Sequence, residues 1–270
     1  MSKIKIILSN GNYKSGSTWV TSIIKELINY QERHFPAEYQ QPKRKNYINR
    51  YKITDFIRDN KYPPLWVSKT HIYESRIISK LDSIADVIKI VNIDRDLKDV
   101  VVSHYFHLFN NNKINYNFED YFNLWGKYKA KQVFDYSCAW KRNKQSLNLQ
   151  YEDLITDFDE VVLKISQFID VELTKELLFK VKQNTKINNL RSNKKQDLHE
   201  ENWFFRKGVS GDWKNYFNSN MIKDIERVQT NQLTIKENFI YLVKFKMRIK
   251  FKFMVYRFFP KLFPLVDKVI

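Results

Sequence analysis

Cysteine occurs once in this sequence of 270 residues, as Cys138. A single cysteine excludes a disulfide within the chain and a zinc site built from cysteine ligands. Because disulfides belong to oxidising compartments, their exclusion predicts a protein of the reducing cytoplasm.

Long apolar stretches are also missing. The apolar run within residues 1–9 is too short for a secretory signal peptide. Nowhere does the chain reach the roughly 18 uncharged apolar residues that a membrane-spanning helix needs. We therefore expect no transmembrane segment.

Glycine is scarce, and its placement is informative. Of 5 glycines, 4 fall in two pairs, Gly11 with Gly16 and Gly208 with Gly211. Glycine permits left-handed backbone conformations and close approach to a ligand. The two pairs predict two loops with such requirements.

Acidic residues are the minority among the charged residues. The 30 Asp and Glu stand against 47 Lys and Arg, a net charge of +17. This balance favours an anionic partner, whether a nucleotide, a nucleic acid, an acidic glycan or an anionic lipid surface. The hydrophobic share of 43% is sufficient for the core of one large α/β domain or two small ones.

The first glycine pair lies between a predicted strand, residues 3–8, and a helix whose apolar residues recur at helical spacing from position 19 to position 28. The first-turn amides of such a helix lack intrahelical acceptors and, with the helix dipole, form an anion site. Lys14 adds a positive charge. Hydroxyl donors at this turn are Ser15, Ser17 and Thr18.

This loop has the glycine spacing of the NTPase P-loop but a different order of residues. Ser17 stands where that loop has its lysine, and Lys14 precedes the second glycine by two residues. The order from Lys14 to Trp19 resembles the 5′-phosphosulfate loop of the sulfotransferases that use 3′-phosphoadenosine 5′-phosphosulfate (PAPS). A serine-rich helix cap is the alternative interpretation of this loop alone.

A second predicted strand, residues 65–68, leads into Lys69, Thr70 and His71. Open parallel sheets bind ligands at the carboxyl ends of their strands. A histidine at that position suits a general base near neutral pH. A structural histidine or a helix cap is the alternative.

The strand predicted over residues 86–93 is followed by Arg95, and Ser103 lies about two turns into the next helix. The planar guanidinium group of arginine suits a phosphate. The run from Arg95 to Ser103 resembles the 3′-phosphate motif of the same sulfotransferases. His104 and His107 lack a third metal ligand at suitable spacing, so surface or packing roles are expected for them.

The remaining elements are predicted from periodicity and breakers. They are an irregular excursion with one or two short helices over 32–64, two helices within 118–143, a strand over 146–151, helices over 157–169, 174–182 and 221–228, and a loop over 188–202. Tyr151 and Thr185 stand where the resemblance implies a nucleotide-contacting tyrosine and an adenine-side threonine. A tyrosine at a strand end before helix-capping acids is the alternative for Tyr151.

The second glycine pair belongs to residues 204–217, which resemble the R-K-G-x-x-G-D-W-K-N-x-F run of the sulfotransferases. By that resemblance Arg206, Lys207 and Gly208 hold the 3′-phosphate through two side chains and a backbone amide, as in an anion-binding nest. A basic turn alone does not account for agreement at so many positions.

The resemblance covers about residues 3–230. It implies an α/β fold with a central parallel sheet flanked by helices, related to the P-loop nucleotide kinases. It also implies sulfuryl transfer from PAPS to a hydroxyl or amine acceptor, with 3′-phosphoadenosine 5′-phosphate (PAP) as product and no metal. The residues that the resemblance assigns to the nucleotide are Lys14, Ser15, Gly16, Ser17, Thr18, Trp19, Arg95, Ser103, Tyr151, Thr185, Arg206, Lys207 and Gly208.

The same resemblance implies three catalytic residues. Lys14 would neutralise the leaving phosphate, and Lys69 would stabilise charge near the sulfuryl oxygens. His71 would take the proton of the acceptor. Tyr13 departs from the family, which usually has proline at this position.

Beyond Phe239 the sequence changes character, and we expect a sulfotransferase domain over 1–239 and a basic aromatic tail over 240–270. Basic and apolar residues alternate over 244–253, a period of two that argues against an amphipathic helix. The tail is expected either to lie on an anionic membrane surface, at the cytoplasmic face, or to pack on the domain.

The basic surface and tail lead us to expect a glycan, a lipid or a small hydroxylated molecule as acceptor, in that order. We expect no nucleic-acid partner. One alternative is a P-loop kinase, although the loop lysine position and a clear magnesium-binding aspartate are missing. The other is a non-catalytic membrane-surface binding protein, which would not require four phosphate-type motifs in order.

Overall fold

The computed structural model describes residues 6–41, 44–59, 65–110, 113–186, 207–247, 251 and 254. In chain order the strands are β1 (Ile6–Gly11), β2 (Gln40–Gln41), β3 (Arg44–Ile48), β4 (Trp66–Thr70), β5 (Ile88–Asp94) and β6 (Ser146–Gln150). Four of them form one parallel sheet in the order β4-β1-β5-β6, and β2 pairs with β3 antiparallel.

Helices account for most of the remaining described chain. They are α1 (Ser17–Leu27), α2 (Ile53–Asp59), α3 (Ser75–Asp82), α4 (Leu97–Asn110), α5 (Phe118–Tyr121), α6 (Lys127–Lys141), α7 (Tyr151–Thr156), α8 (Phe158–Phe168), α9 (Lys175–Asn184), α10 (Ser219–Gln229) and α11 (Ile235–Tyr241). Two π-helical segments occur: Phe122–Gly126 joins α5 to α6, and Leu242–Met247 continues α11. Among the described helices, none is both long and apolar enough to cross a membrane.

Strand β1 is buried along its whole length because helices cover both faces of the sheet. Ile7 packs with residues of α1, α8 and α9, whereas Ile6 and Leu8 pack with residues of α2 and α3. A parallel strand with two covered faces requires such a continuous apolar run. The central parallel sheet flanked by helices agrees with the predicted fold.

Three asparagines lie in register across β1, β5 and β6, near the carboxyl ends of these strands. The Asn10 side-chain amide donates to Asn92 Oδ1 (3.2 Å), and the Asn92 amide donates to Asn148 Oδ1 (3.0 Å). Asn10 Oδ1 accepts the backbone N–H of Ile72 (3.0 Å). This ladder satisfies buried polar groups and ties the strands together beside the carboxyl edge.

Two predictions about local structure were wrong. The two separate helices predicted within 118–143 are one continuous helical run, because the π-helical segment at Phe122–Gly126 joins them. The alternation over 244–253 argued against an amphipathic helix, yet Leu242–Met247 is helical, and Phe245 packs on Trp125 at 6.3 Å between ring centroids. The hairpin of β2 and β3 was not predicted, and the loop predicted over 188–202 lies outside the described residues.

Candidate active site

The loop between β1 and α1 contains two residues with left-handed backbone, Lys14 (φ 72°) and Gly16 (φ 103°). A Cβ atom on Gly16 would lie 2.6 Å from Cδ2 of Tyr151, so glycine is required for the tyrosine ring to pack against the loop. The amide and the hydroxyl of Ser15 both donate to the Asn12 carbonyl (3.1 and 2.7 Å). The loop is thereby fixed at the N-terminus of α1, where unpaired amides favour an anion.

An open cavity of about 680 Å³ adjoins this loop. Segments far apart in the sequence contribute to its lining, which consists of Tyr13, Lys14, Gly16, Ser17, Thr18, Trp19, Lys69, Arg95, Ser103, Tyr151, Lys207, Gly208 and Val209. The structure thus brings together most of the residues that the sequence assigned to a nucleotide.

Arg95 connects the two glycine loops across the cavity. Its Nη2 donates to the Val209 carbonyl (2.9 Å) and its Nη1 to the Lys14 carbonyl (3.4 Å). The guanidinium carbon lies 4.0 Å from the centroid of the Tyr151 ring. Its Nε is buried and has no acceptor among the described residues, so this donor is available to a bound group.

Asp99 in α4 holds the second glycine loop in place. This carboxylate is 2% exposed and accepts the backbone N–H groups of Gly211 (2.7 Å) and Trp213 (3.1 Å). Lys207, at the start of the loop, donates to Asp212 at 2.7 Å. Sequence analysis gave Asp99 no role, although an acidic residue among apolar positions of a helix was an available signal.

Strand β4 positions Lys69 and His71 at the other side of the first loop. Lys69 is buried, and its Nζ donates to the Thr18 hydroxyl at 2.7 Å. His71 Nδ1 lies 2.6 Å from the Gly11 carbonyl. Because a carbonyl only accepts, Nδ1 carries the hydrogen and Nε2 is the acceptor nitrogen.

The environment of His71 favours the neutral imidazole. Burial and the nearby positive charge of Lys69 lower the pKa of His71 well below 6.5, more strongly than the hydrogen bond to Gly11 raises it. The ring therefore offers an unprotonated Nε2 at neutral pH. His71 adjoins the cavity through Tyr13 and is not itself part of the lining.

Tyr13 stands between the cavity and a cluster of histidines. Its ring contacts the rings of His71 (5.9 Å), His104 (5.8 Å) and His107 (5.3 Å), and its hydroxyl pairs with His107 Nε2 at 2.5 Å. Lys129 of α6 lies on the same ring, with Nζ 5.7 Å from its centroid. Sequence analysis gave no role to Lys129, and no motif spacing linked it to Tyr13.

Three further predicted residues take different positions. Trp19 lines the cavity, is 6% exposed and stacks on Phe158 at 6.0 Å. Thr185 is buried at the end of α9, where its hydroxyl donates to the Val181 carbonyl (2.7 Å), and it does not line the cavity. Arg206 lies outside the described residues. Within the described chain, no group of three or more His, Cys, Asp or Glu is arranged to hold a metal ion.

The sequence is similar to those of known sulfotransferases. The family model described as sulfotransferase domain matches residues 5–236. Sulfotransferase 6B1 of Danio rerio is 27% identical over 229 residues, which cover 82% of this chain and 75% of the relative. The amine sulfotransferase of Oryctolagus cuniculus is 27% identical over 237 residues, covering 80% and 76%.

Solved structures share the fold. Mouse sulfotransferase SULT7A1 complexed with PAP superimposes with a TM-score of 0.66 at 23% identity, covering 88% of each chain. Retinol dehydratase in a complex with retinol and PAP gives 0.63 at 20% identity, covering 87% of this chain and 82% of its own. The predicted fold and family are both confirmed. With the family model extending over most of its length, the chain belongs to the sulfotransferase domain family.

Proposed function

We propose that this enzyme transfers a sulfuryl group from PAPS to a hydroxyl or amine acceptor. The observation that carries the proposal is the convergence of Lys14, Lys69, Arg95 and Lys207 on one cavity at the N-terminus of a helix. Cations from separate segments suit a nucleotide with phosphate-type groups at both ends. The PAP complexes of the structural relatives support this choice of nucleotide.

The residues present fit PAPS. Two buried donors that border the cavity, Trp19 Nε1 and Arg95 Nε, have no partner in the described part of the chain, as expected where a ligand supplies the acceptors. In this assignment Lys14 and the first-turn amides of α1 hold the phosphosulfate end. The 3′-phosphate end falls to Arg95, Ser103, Arg206, Lys207 and Gly208, and the adenosine to Trp19, Tyr151 and Thr185.

Bound PAPS supplies the sulfuryl group and is released as PAP. In the proposed mechanism Lys14 neutralises charge on the leaving phosphate, and Lys69, oriented by Thr18, does so at the sulfuryl oxygens. The neutral Nε2 of His71 accepts the proton of the acceptor, since Nδ1 is engaged by Gly11. We propose a glycan, a lipid or a small hydroxylated molecule as acceptor, in that order.

A thermal-shift titration with PAP, with ADP as the comparison ligand, tests the nucleotide assignment. At one hundred times its dissociation constant PAP should add about 2.7 kcal/mol of stability. Arg95→Ala should abolish this stabilisation. Arg58→Ala, at an exposed arginine paired with Asp59, should retain it.

The comparison of ADP with PAP tests the kinase alternative. The two ligands differ mainly in the location of the second phosphate, so ADP should stabilise the protein much less than PAP. Stabilisation by ADP with magnesium that equals or exceeds that by PAP would contradict the proposal, and His71 would lose its role.

A second function, contact with an anionic membrane, is supported by the C-terminal helix, which we define as Ile235–Met247. Its inward face combines aromatic packing of Phe245 with polar contacts: Glu237 pairs with Lys127 and Arg227, and Tyr241 donates to Asp135. Its outward face is apolar, with exposed fractions of 90% for Ile235, 64% for Phe239, 46% for Val243 and 55% for Met247.

An ordinary surface helix places its apolar stripe toward the core, whereas this helix exposes an apolar stripe to solvent. Lys236 and Lys246 are exposed on the same helix, and more Lys and Arg follow it in the sequence. We therefore propose that the C-terminal helix and the tail 240–270 bind anionic lipid at the cytoplasmic face of a membrane. In this proposal residues 1–239 form the catalytic domain.

Sedimentation with vesicles of phosphatidylcholine, with and without phosphatidylglycerol, tests this surface. Phe239→Ser should weaken binding to the anionic vesicles about tenfold, because it removes most of the transfer free energy of one aromatic side chain. The matched control is Phe179→Ser in α9, since Phe179 is also 64% exposed. Equal losses in both variants, or no binding by the unmodified protein, would reject the membrane contact.

A further inference from the structure

Lys129 is a buried lysine against which the described part of the chain places no acidic side chain. It is 5% exposed, its Nζ donates to the neutral Gln132 Oε1 (2.8 Å), and in the described part of the chain it forms no ion pair. Lys131, two residues further along the same helix, is 8% exposed and is paired with Asp135. A buried charge is unfavourable unless it is paired, so Lys129 calls for an explanation.

The ammonium group of Lys129 loses its proton near neutral pH. Burial lowers the pKa of its ammonium group to about 7. An anion placed beside it would favour the charged form and supply the counter-charge that the described residues do not provide.

Lys129 adjoins the proposed reaction centre through Tyr13. Its Nζ is 5.7 Å from the ring of Tyr13, which lines the nucleotide cavity and also contacts the proposed base His71. Basic side chains surround two histidines: Lys69, Arg50 and Lys129 act on His71, and Lys129, Lys14 and Lys113 act on His104 together with His107. Of these, Arg50 is paired with Glu74. An acceptor approaching His71 therefore enters a positive field.

We propose that Lys129 is the subsite for a negative charge on the acceptor, so that the enzyme prefers a hydroxyl carried close to a carboxylate, sulfate or phosphate group. This inference rests on the proposed sulfuryl transfer and narrows its acceptor. A uronate-bearing glycan and a phospholipid headgroup share this chemistry. His71 receives the proton of the hydroxyl while Lys129 pairs with the neighbouring anion.

Sulfation with PAPS is measured on two matched pairs of acceptors at neutral pH. One pair is a disaccharide ending in glucuronate and its glucose counterpart, and the other is phosphatidylglycerol and diacylglycerol in the same micelles. The charged member of at least one pair should be preferred, and the pair that responds identifies the source of the anion. Lys129→Met should raise KM for the charged member about tenfold or more and leave KM for the neutral member unchanged.

Lys131→Met is the matched control on the same helix, and it should keep the preference for the charged acceptor. Stability supplies a second readout: Lys129→Met should raise Tm because it removes a buried charge that no described residue pairs, whereas Lys131→Met should lower Tm because it removes the ion pair with Asp135. Lys129→Arg should restore part of the preference, since it restores the charge.

The outcomes separate this inference from the proposed function. Loss of stabilisation by PAP would mean that the sulfotransferase assignment itself fails. If PAP stabilises the protein but neutral acceptors are sulfated as well as charged ones, only the proposal of an anionic subsite is overturned. The same holds if PAP stabilises the protein but charged acceptors are not sulfated at all. An unchanged KM in Lys129→Met would overturn it as well.

Discussion

At the scale of single residues, one hydrogen bond decides which nitrogen of His71 is able to act. The carbonyl of Gly11 accepts from Nδ1, which leaves Nε2 as the basic nitrogen. The same carbonyl belongs to the last residue of β1, so the strand that begins the phosphate loop also orients the proposed base. Loop and base are thereby fixed relative to each other.

The pH dependence of the reaction should reflect the desolvation of His71. Burial and Lys69 lower its pKa well below 6.5, so the active neutral form is present at pH 7 and is lost only as pH falls well below 6.5. For a neutral acceptor we expect kcat/KM to show no acid limb until the pH is well below 6.5. His71→Gln should reduce kcat by about 10²- to 10⁴-fold.

A pH series of initial rates with saturating PAPS measures this profile. His34→Gln, at an exposed histidine, serves as the control and should leave kcat unchanged. An acid limb with its midpoint at or above 6.5 would show that the base is solvated or is a different group.

Site residues differed in how far the sequence could reveal them. Lys14, Arg95 and Lys207 lie in local motifs beside glycines or a strand end, and a motif survives in the sequence as a spacing. Lys129 and His104 meet at Tyr13 only because α4 and α6 pack together, and such a contact leaves no spacing to detect. Asp99 belongs to the second group, since its partners lie more than 100 positions away.

At the scale of elements, the C-terminal helix demonstrates how packing overrides a sequence pattern. The alternation of basic and apolar residues argued against an amphipathic helix, but the segment Leu242–Met247 is helical. Within it, Lys244 donates to the Leu124 carbonyl (2.6 Å), and its Nζ lies 4.4 Å from the centroid of the Trp125 ring. These contacts, together with the Thr234–Glu237 capping box, favour the helical backbone. Periodicity carries no information about such contacts.

Glu237 should make the attachment of this helix sensitive to acid. Burial alone would raise its pKa, but hydrogen bonds from Lys127, Thr234 and Arg227 outweigh burial and lower the pKa from 4.5 to about 2. The stabilisation is fully present above pH 4.5 and is lost as pH falls toward 2. By linkage it amounts to at most about 3 kcal/mol.

Urea unfolding of Glu237→Gln at pH 7 and at pH 3 measures this contribution. The variant should be less stable than the unmodified protein at pH 7. The difference should shrink at pH 3 because there the carboxyl group of Glu237 is protonated in the unfolded protein but still mostly ionised in the folded one. Glu38→Gln, at an exposed position, should show no such change with pH. A difference in stability for Glu237→Gln that is equal at both pH values would contradict the ion-pair account.

At the scale of the whole molecule, the net charge of +17 is distributed between enclosed and exposed sites. Lys69 and Lys129 are buried near the cavity, whereas Lys236 and Lys246 are exposed on the C-terminal helix. Salt screens exposed charges far more than buried ones. Ionic strength should therefore separate the two proposed functions.

Raising NaCl from 0.1 to 1 M, which shortens the Debye length from about 10 Å to about 3 Å, should weaken binding to anionic vesicles more than about tenfold. Stabilisation by PAP should change by much less. Parallel sedimentation and thermal-shift measurements on one preparation provide the comparison. Equal salt dependence of both would indicate that the nucleotide also binds on the exposed surface.

The overall fold could be predicted from the sequence because the motifs between residues 3 and 230 resemble those of the sulfotransferases, a resemblance that implies a central parallel sheet. The hairpin of β2 and β3 could not be foreseen, since its strands are polar and, of their residues, Ile48 alone is buried. The course of a polar excursion is set by what it packs against. Its apolar anchor is Phe35, which stacks on Trp66 at 4.5 Å.

The asparagine ladder has a consequence for the chemical ageing of the enzyme. Asn10 precedes Gly11, and in a flexible peptide an Asn–Gly pair loses ammonia when the glycine nitrogen attacks the asparagine side chain. Here Asn10 is fully buried in a strand, and both ends of its amide are engaged by Asn92 and Ile72. Deamidation therefore requires unfolding, and it would leave a carboxylate inside the ladder. The shelf life of the protein should follow its unfolded fraction, so that bound nucleotide also slows its covalent decay.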